Sequence, residues 1–154
     1  MDRTFDGRLT EARVAPIRDR WKGKLVIKGV VSEEDTETAI RLGADGIIVS
    51  NHGGRQLDAG QSSVKPMQKL AATYGDKISI MMDCGIRSGS DVARCIAAGA
   101  RFTFMGRPFM YGVGALGKRG GDHTIAMFKT QLQQIMEQLG CERLENLPEH
   151  LIRT

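Results

Sequence analysis

The sequence predicts an α/β fold in which four parallel strands with flanking helices make one half of a closed (β/α)8 barrel. Three observations carry this. Short apolar runs alternate with helical patterns, and strands that alternate with helices form a parallel sheet with helical crossovers. A repeat at offset 56 sets Gly29 on Gly85, Ser32 on Ser88, Asp35 on Asp91, Gly43 on Gly99 and Ala44 on Ala100. Polar residues gather directly after each strand, the end of a parallel sheet where chemistry sits. Four strands are too few to close a barrel but are half of eight.

Residues 1–8 form a polar lead-in. Over 9–21, apolar residues at Leu9, Ala12, Val14, Ile17 and Trp21 suggest a helix, with Pro16 expected to limit or restart it and Lys22-Gly23 to close it. Residues 25–27 are the first strand, followed by Lys28 and Gly29. Ser32 with Asp35 is an N-cap pair for a helix to about Leu42, and Gly43 ends it. The second strand spans 46–50, and 51–62 is a Gly-rich loop. Residues 64–74 place Val64, Met67, Leu70 and Ala71 on one helical face, with Pro66 in the first turn. The third strand, 78–82, ends in Asp83. Ser88 and Asp91 cap the next helix, which stops at Gly99. Residues 102–105 are the fourth strand, ending in Gly106-Arg107-Pro108. Five glycines make 110–122 a loop or irregular helix, 124–139 is a long amphipathic helix, and short turns around Pro148 fill 140–154.

A chain of 154 residues, 41% hydrophobic and 26% charged, has the size and composition of one globular domain. Net charge is +4, but Lys and Arg are scattered and aromatics are only 5%. That argues against nucleic acid, which favours a basic stripe with aromatics, and suits a small anionic ligand. Cys84, Cys95 and Cys141 are odd in number with no CxxC, as expected of reduced thiols in a cytosolic protein. No apolar run reaches the roughly 18 residues of a membrane span. Residues 1–13 carry Asp2, Asp6 and Glu11 without an apolar core, unlike a signal peptide. His123 and His150 read as surface or capping residues, metal-ligand spacing is absent, and so no metal is expected. The eight methionines read as core filler.

The most specific chemistry lies in Ser50-Asn-His-Gly-Gly-Arg-Gln56. His52 can take a proton near neutral pH, and Arg55 can clamp a carboxylate through two hydrogen bonds. Arg55 nearby also disfavours imidazolium, keeping the base neutral. Together they suit an α-substituted carboxylic acid. A Ser50–His52 hydrolase reading fails for want of a nucleophile elbow. Asp83-Cys-Gly-Ile-Arg87 and Gly106-Arg107 read as anion binders, with glycines exposing backbone N–H groups and arginines supplying charge. A dinucleotide motif in the glycines of 112–117 is weak, since no strand leads directly into a helix there.

The segment 50–56 resembles the FMN-dependent α-hydroxy acid dehydrogenase/oxidase family, which includes lactate and mandelate dehydrogenases and glycolate oxidase. Segments 25–29, 44–50, 83–89 and 106–109 support the match. The resemblance implies the C-terminal half of an FMN-binding TIM (β/α)8 barrel, strands five to eight, as one partial domain over 1–154. It implies that Lys28 and Ser50 lie by the flavin, His52 is the base, and His52 and Arg55 hold a 2-hydroxy acid substrate. Asp83, Cys84, Gly85, Ile86, Arg87, Gly106 and Arg107 would hold the ribityl chain and phosphate. Cys84 stands where the family more often has a small residue. The family's first barrel half is missing, with its aromatic substrate contacts and the aspartate it pairs with the histidine. Asp58 is not an evident substitute.

The implied reaction is oxidation of an L-2-hydroxy acid to the 2-oxo acid, with little turnover and weak FMN affinity expected of this chain alone. A non-catalytic FMN- or phosphate-binding half barrel is the alternative. Other flavin barrels, such as isopentenyl diphosphate isomerase or the synthase domain of glutamate synthase, have no use for the carboxylate clamp. Expected partners are the substrate and either further copies of the chain or the missing barrel half, because open sheet edges invite pairing. The implied location is cytoplasmic, with attachment at the inner face of the membrane as one route to an electron acceptor.

Overall fold

The computed structural model describes residues 9–152, and the polar lead-in over 1–8 lies outside them. Helix α1 (Glu11–Arg20) runs unbroken through Pro16, where a limit or restart was expected. A proline removes one backbone donor, and the helix continues one turn beyond it. Arg18 then anchors this end, donating to the carbonyls of Gly23 (2.9 Å) and Gly43 (3.3 Å) and pairing with Asp45 at 3.4 Å.

Strands β1 (Val26–Val30), β2 (Gly46–Val49), β3 (Ser79–Met82) and β4 (Phe102–Thr103) form one parallel sheet in chain order. Helices α2 (Glu33–Arg41), α3 (Val64–Tyr74) and α4 (Gly89–Ala97) make the crossovers. Right-handed crossovers between successive neighbours put these three helices on the same face. That face holds the core. Ile47, Val49 and Ile80 have no exposed surface, and Met82 only 1%. Lys28 lies inside β1 rather than after it, because the strand continues past a bulge between Lys28 and Val30.

The offset repeat is a structural repeat. Ser32 accepts the N–H of Asp35 (3.1 Å) and Ser88 that of Asp91 (3.3 Å). Each helix ends the same way. Gly43 and Gly99 have φ of +74° and +111°. The N–H of Ala44 reaches the carbonyl of Ala39, and that of Ala100 the carbonyl of Cys95, both at 3.0 Å. This is a Schellman closure, and glycine takes its left-handed residue at least cost.

Of the two readings of 110–122, loop or irregular helix, the helical one holds. Arg107–Leu116 is a regular helix, α5, and α6 starts at Gly120 and runs to Leu139. Only Gly117–Arg119 forms a 3-10 turn between them. A helix pays about 1 kcal/mol for each interior glycine, but two of these let α5 and α6 cross backbone to backbone. A Cβ on Gly112 would lie 2.7 Å from the carbonyl oxygen of Gly120. The chain ends in a 3-10 segment, Leu144–His150, whose Leu147 is buried with Ala93 and Cys141.

Candidate active site

The four strand ends deliver their polar residues to one cleft of about 970 Å³. It is lined by Lys28, His52, Arg55, the segment from Asp83 to Arg87, and Gly106-Arg107. Of the residues singled out from sequence, Ser50 alone does not line it. Ser50 is 2% exposed and sits beneath, accepting from Lys28 Nζ (2.9 Å) and from the backbone N–H of His52 (3.1 Å).

The turn carrying His52 is tightly determined. Asn51 Oδ1 accepts the N–H of Gly53 at 3.0 Å, and the Asn51 amide donates to the Gln61 carbonyl at 3.1 Å. His52 adopts φ +55°, a left-handed conformation that non-glycine residues rarely hold without support. Its imidazole lies against Gly29, where a Cβ would come within 2.7 Å of Nε2. No side-chain hydrogen bond occupies that ring or the Arg55 guanidinium among the described residues, so both are open to a ligand. Asp58 makes no bond to His52.

Lys28 pairs with Asp83 at 3.0 Å. The Cys84 thiol donates to Asp83 Oδ1 (2.8 Å) and accepts the N–H of Gly53 (3.1 Å). This network joins the ends of β1, β2 and β3, and sequence reading missed it. The only sequence signal was that each member follows or ends a strand. Burial pushes Asp83 upward, but the bonds from Cys84, Ser50 and Lys28 and the Lys28 charge outweigh it, holding the carboxyl below the ordinary 3.8. A depressed carboxylate stabilises the fold above its unfolded value, and that stability is lost as pH falls through the folded value. We therefore expect Asp83→Asn to flatten the acid side of the stability profile below about pH 4. A carboxyl NMR titration giving Asp83 an ordinary value would contradict this.

Arg107 reaches across to the carbonyl of Gly53 at 3.2 Å. Arg87 bonds the carbonyl of Ile86 at 3.0 Å, and its own N–H is held by Asp91 at 2.9 Å. The Ile86 side chain is 2% exposed and belongs to the core, leaving its backbone to the cleft. A methyl group added at Gly85 or Gly106 would meet nothing within 4 Å, so a ligand can approach the backbone there. Gly106 also opens the ten-residue helix α5, whose first N–H groups favour an anion. Four cationic side chains against one carboxylate give the cleft the surplus charge that a phosphate needs. The residues fit FMN. Among the described residues no group of three His, Cys, Asp or Glu is placed to hold a metal. His123 and His150 are exposed.

The family model of FMN-dependent dehydrogenases matches residues 1–154. An L-lactate dehydrogenase of Actinobacillus pleuropneumoniae serotype 5b is 41% identical over 143 residues, which are 93% of this chain and 38% of that protein. Another, from Allorhizobium ampelinum, is 44% identical over 138 residues, 89% of this chain and 36% of the relative. The crystal structure of a soluble mutant of the membrane-associated (S)-mandelate dehydrogenase from Pseudomonas putida superposes with a TM-score of 0.88 at 36% identity, covering 96% of this chain and 42% of that one. A mandelate oxidase solved with benzoyl-formic acid gives 0.87 at 33%, covering 90% and 42%. The chain thus spans less than half the length of the relatives it matches, and no helix among the described residues is long and apolar enough to cross a membrane. With half of a TIM barrel, a cationic cleft at its strand ends and a match along its whole length, the chain belongs to the FMN-dependent α-hydroxy acid dehydrogenase family.

Proposed function

We propose that this chain is the FMN- and substrate-gripping half of an enzyme that oxidises an L-2-hydroxy acid of lactate, mandelate or glycolate type to the 2-oxo acid. The observation that carries it is the placement of His52 and Arg55, both with free side chains, in one cleft with Lys28 and Arg107. Arg55 binds the substrate carboxylate with its paired donors. His52 Nε2 accepts a proton from the bound acid, either from the hydroxyl or from the α-carbon. Lys28, fixed by Ser50 and Asp83, would offer a bound flavin a positive charge. FMN, when bound, takes the two electrons of the oxidation. Arg87, Arg107 and the backbone at Gly85 and Gly106 are assigned to its phosphate and ribityl chain.

The reading includes an incomplete site. Among the described residues no carboxylate orients the His52 ring, and one wall of the cleft is open. A single partial domain over 1–154 therefore binds FMN weakly and turns over little without further barrel strands. The free thiols Cys84, Cys95 and Cys141 fit a reducing cytoplasm, with an electron acceptor met at the inner face of the membrane. The missing partner for His52 also favours a second reading, a flavin-binding half barrel with an idle histidine.

Titration of flavin fluorescence tests the FMN binding that both readings share. The chain is expected to quench FMN with weak affinity, and Arg107→Ala is expected to weaken binding by about 10-fold or more, the loss of one charge-assisted contact. His52→Ala should leave affinity unchanged. Absence of quenching at any protein concentration sinks the flavin assignment. Stoichiometric FMN bleached by L-lactate in the isolated chain sinks the claim of incompleteness.

A further inference from the structure

Among the described residues, two that are not glycine hold a positive φ: His52 at +55° and Cys84 at +76°. Such backbone is disfavoured for any side chain and persists only where the surroundings enforce it. The two residues follow neighbouring strands, β2 and β3, and their turns are bonded to each other. The N–H of Gly53, directly after His52, is shared between Asn51 Oδ1 at 3.0 Å and Cys84 Sγ at 3.1 Å. The Asn51 bond closes the turn on itself, whereas the Cys84 bond ties it to the next strand.

The same sulfur donates to Asp83 Oδ1 at 2.8 Å, and Asp83 Oδ2 pairs with Lys28 at 3.0 Å. A thiol is a weak donor and a weak acceptor. Here the carboxylate polarises the S–H, which makes the sulfur a better acceptor for the Gly53 N–H. Of the contacts that lower the Asp83 carboxyl against the upward push of burial, the Cys84 bond is the largest, with Ser50 and Lys28 after it. The His52 ring makes no side-chain hydrogen bond among the described residues, and it fills the space left by Gly29. Its place is therefore set by the turn that carries it. Glycine adopts φ +76° at less cost than cysteine, so what Cys84 adds is the pair of bonds made by its thiol.

We propose that Cys84 is a positioning residue for His52: its thiol clamps the His52 turn to the Lys28–Asp83 pair and so fixes the spacing between the proton acceptor and the Lys28 charge. For what His52 does, this rests on the hydroxy-acid reading above. For how His52 is held, it rests on the bonds alone.

Three variants test it. Cys84→Ser keeps a donor and an acceptor, Cys84→Ala removes both, and Cys84→Gly removes both while relaxing the backbone. In the 154-residue chain, NMR is expected to show the Gly53 amide exchanging roughly 5-fold faster in the alanine and glycine variants, the loss of one hydrogen bond. The Asp83 carboxyl should titrate closer to the ordinary 3.8 in both, and serine should retain both properties. These readouts need neither flavin nor turnover, so they judge the clamp whatever becomes of the hydroxy-acid reading. In the chain fused to the first half of an L-lactate dehydrogenase relative, the alanine and glycine variants are expected to lose about 10-fold in kcat, as a small misplacement of a reacting group does. KM for L-lactate and FMN content should stay at the parent values, and serine should recover most of the loss. Parent-like Gly53 exchange and Asp83 titration in the alanine and glycine variants overturn the proposal. So does a glycine variant with the parent's kcat, since the residue would then serve only the shape of the backbone.

Discussion

Valine in place of Gly120 is expected to lower stability by more than about 3 kcal/mol, a large share of a small domain's total. A Cβ at this position would run into the backbone of Gly112 and Val113, which has no flexible end to swing aside. Helices α5 and α6 would have to separate, and Thr124, 1% exposed beside the crossing, would lose its packing. Gly112→Val should do comparable damage, since its Cβ meets Thr124 and the Gly120 carbonyl. Gly114 lies in the same helix with nothing within 4 Å. There the ordinary helix preference acts alone, and Gly114→Ala is expected to stabilise by about 1 kcal/mol. Urea unfolding followed by circular dichroism reads all three. A Gly120→Val protein within about 1.4 kcal/mol of its parent, a tenfold change in the folding constant, would show that the helices do not cross so closely.

His52→Ala is expected to lower kcat by about 10²- to 10⁴-fold once the barrel is complete, the range for removing a positioned general base. The suitable protein is this chain fused to the first half of an L-lactate dehydrogenase relative. FMN content should be unchanged, which separates loss of the base from loss of the cofactor. Gly29→Ala should act on the same step from outside the loop. Its Cβ would strike Nε2, and φ of +95° disfavours any side chain at that position. The imidazole must then leave its place, so kcat falls while FMN binding persists. A fusion in which His52→Ala turns over at the parent rate would remove His52 from the chemistry and favour the non-catalytic reading.

Much of this molecule is written locally. Serine caps, glycine stops and apolar runs specify strand, helix, strand by interactions within a few residues, and such short-range terms survive in a linear reading. The same holds for the motif around His52, whose turn is fixed by Ser50, Asn51 and Gly53, all within three residues. The glycines of 110–122 left loop and irregular helix both open because glycine usually punctuates. Their reason lies eight residues away across a helix crossing, where the absence of a side chain is itself the contact. Lys28 was expected to follow its strand, but the bulge that extends β1 is set by pairing with β2.

By itself the sequence determined the alternation of elements, the repeat, the family and the residues brought to the strand ends. Only the tertiary structure decided what those residues touch. Lys28, Ser50, Gly53, Asp83 and Cys84 come from three strand ends up to 56 positions apart, and their mutual charges and bonds exist only once the sheet is formed. It also decided which face stays bare. Strands apolar on both sides do not say where their helices will lie. The right-handed crossover sends the three crossover helices to one side, and so leaves Val26, Phe102 and Phe104 exposed on the other.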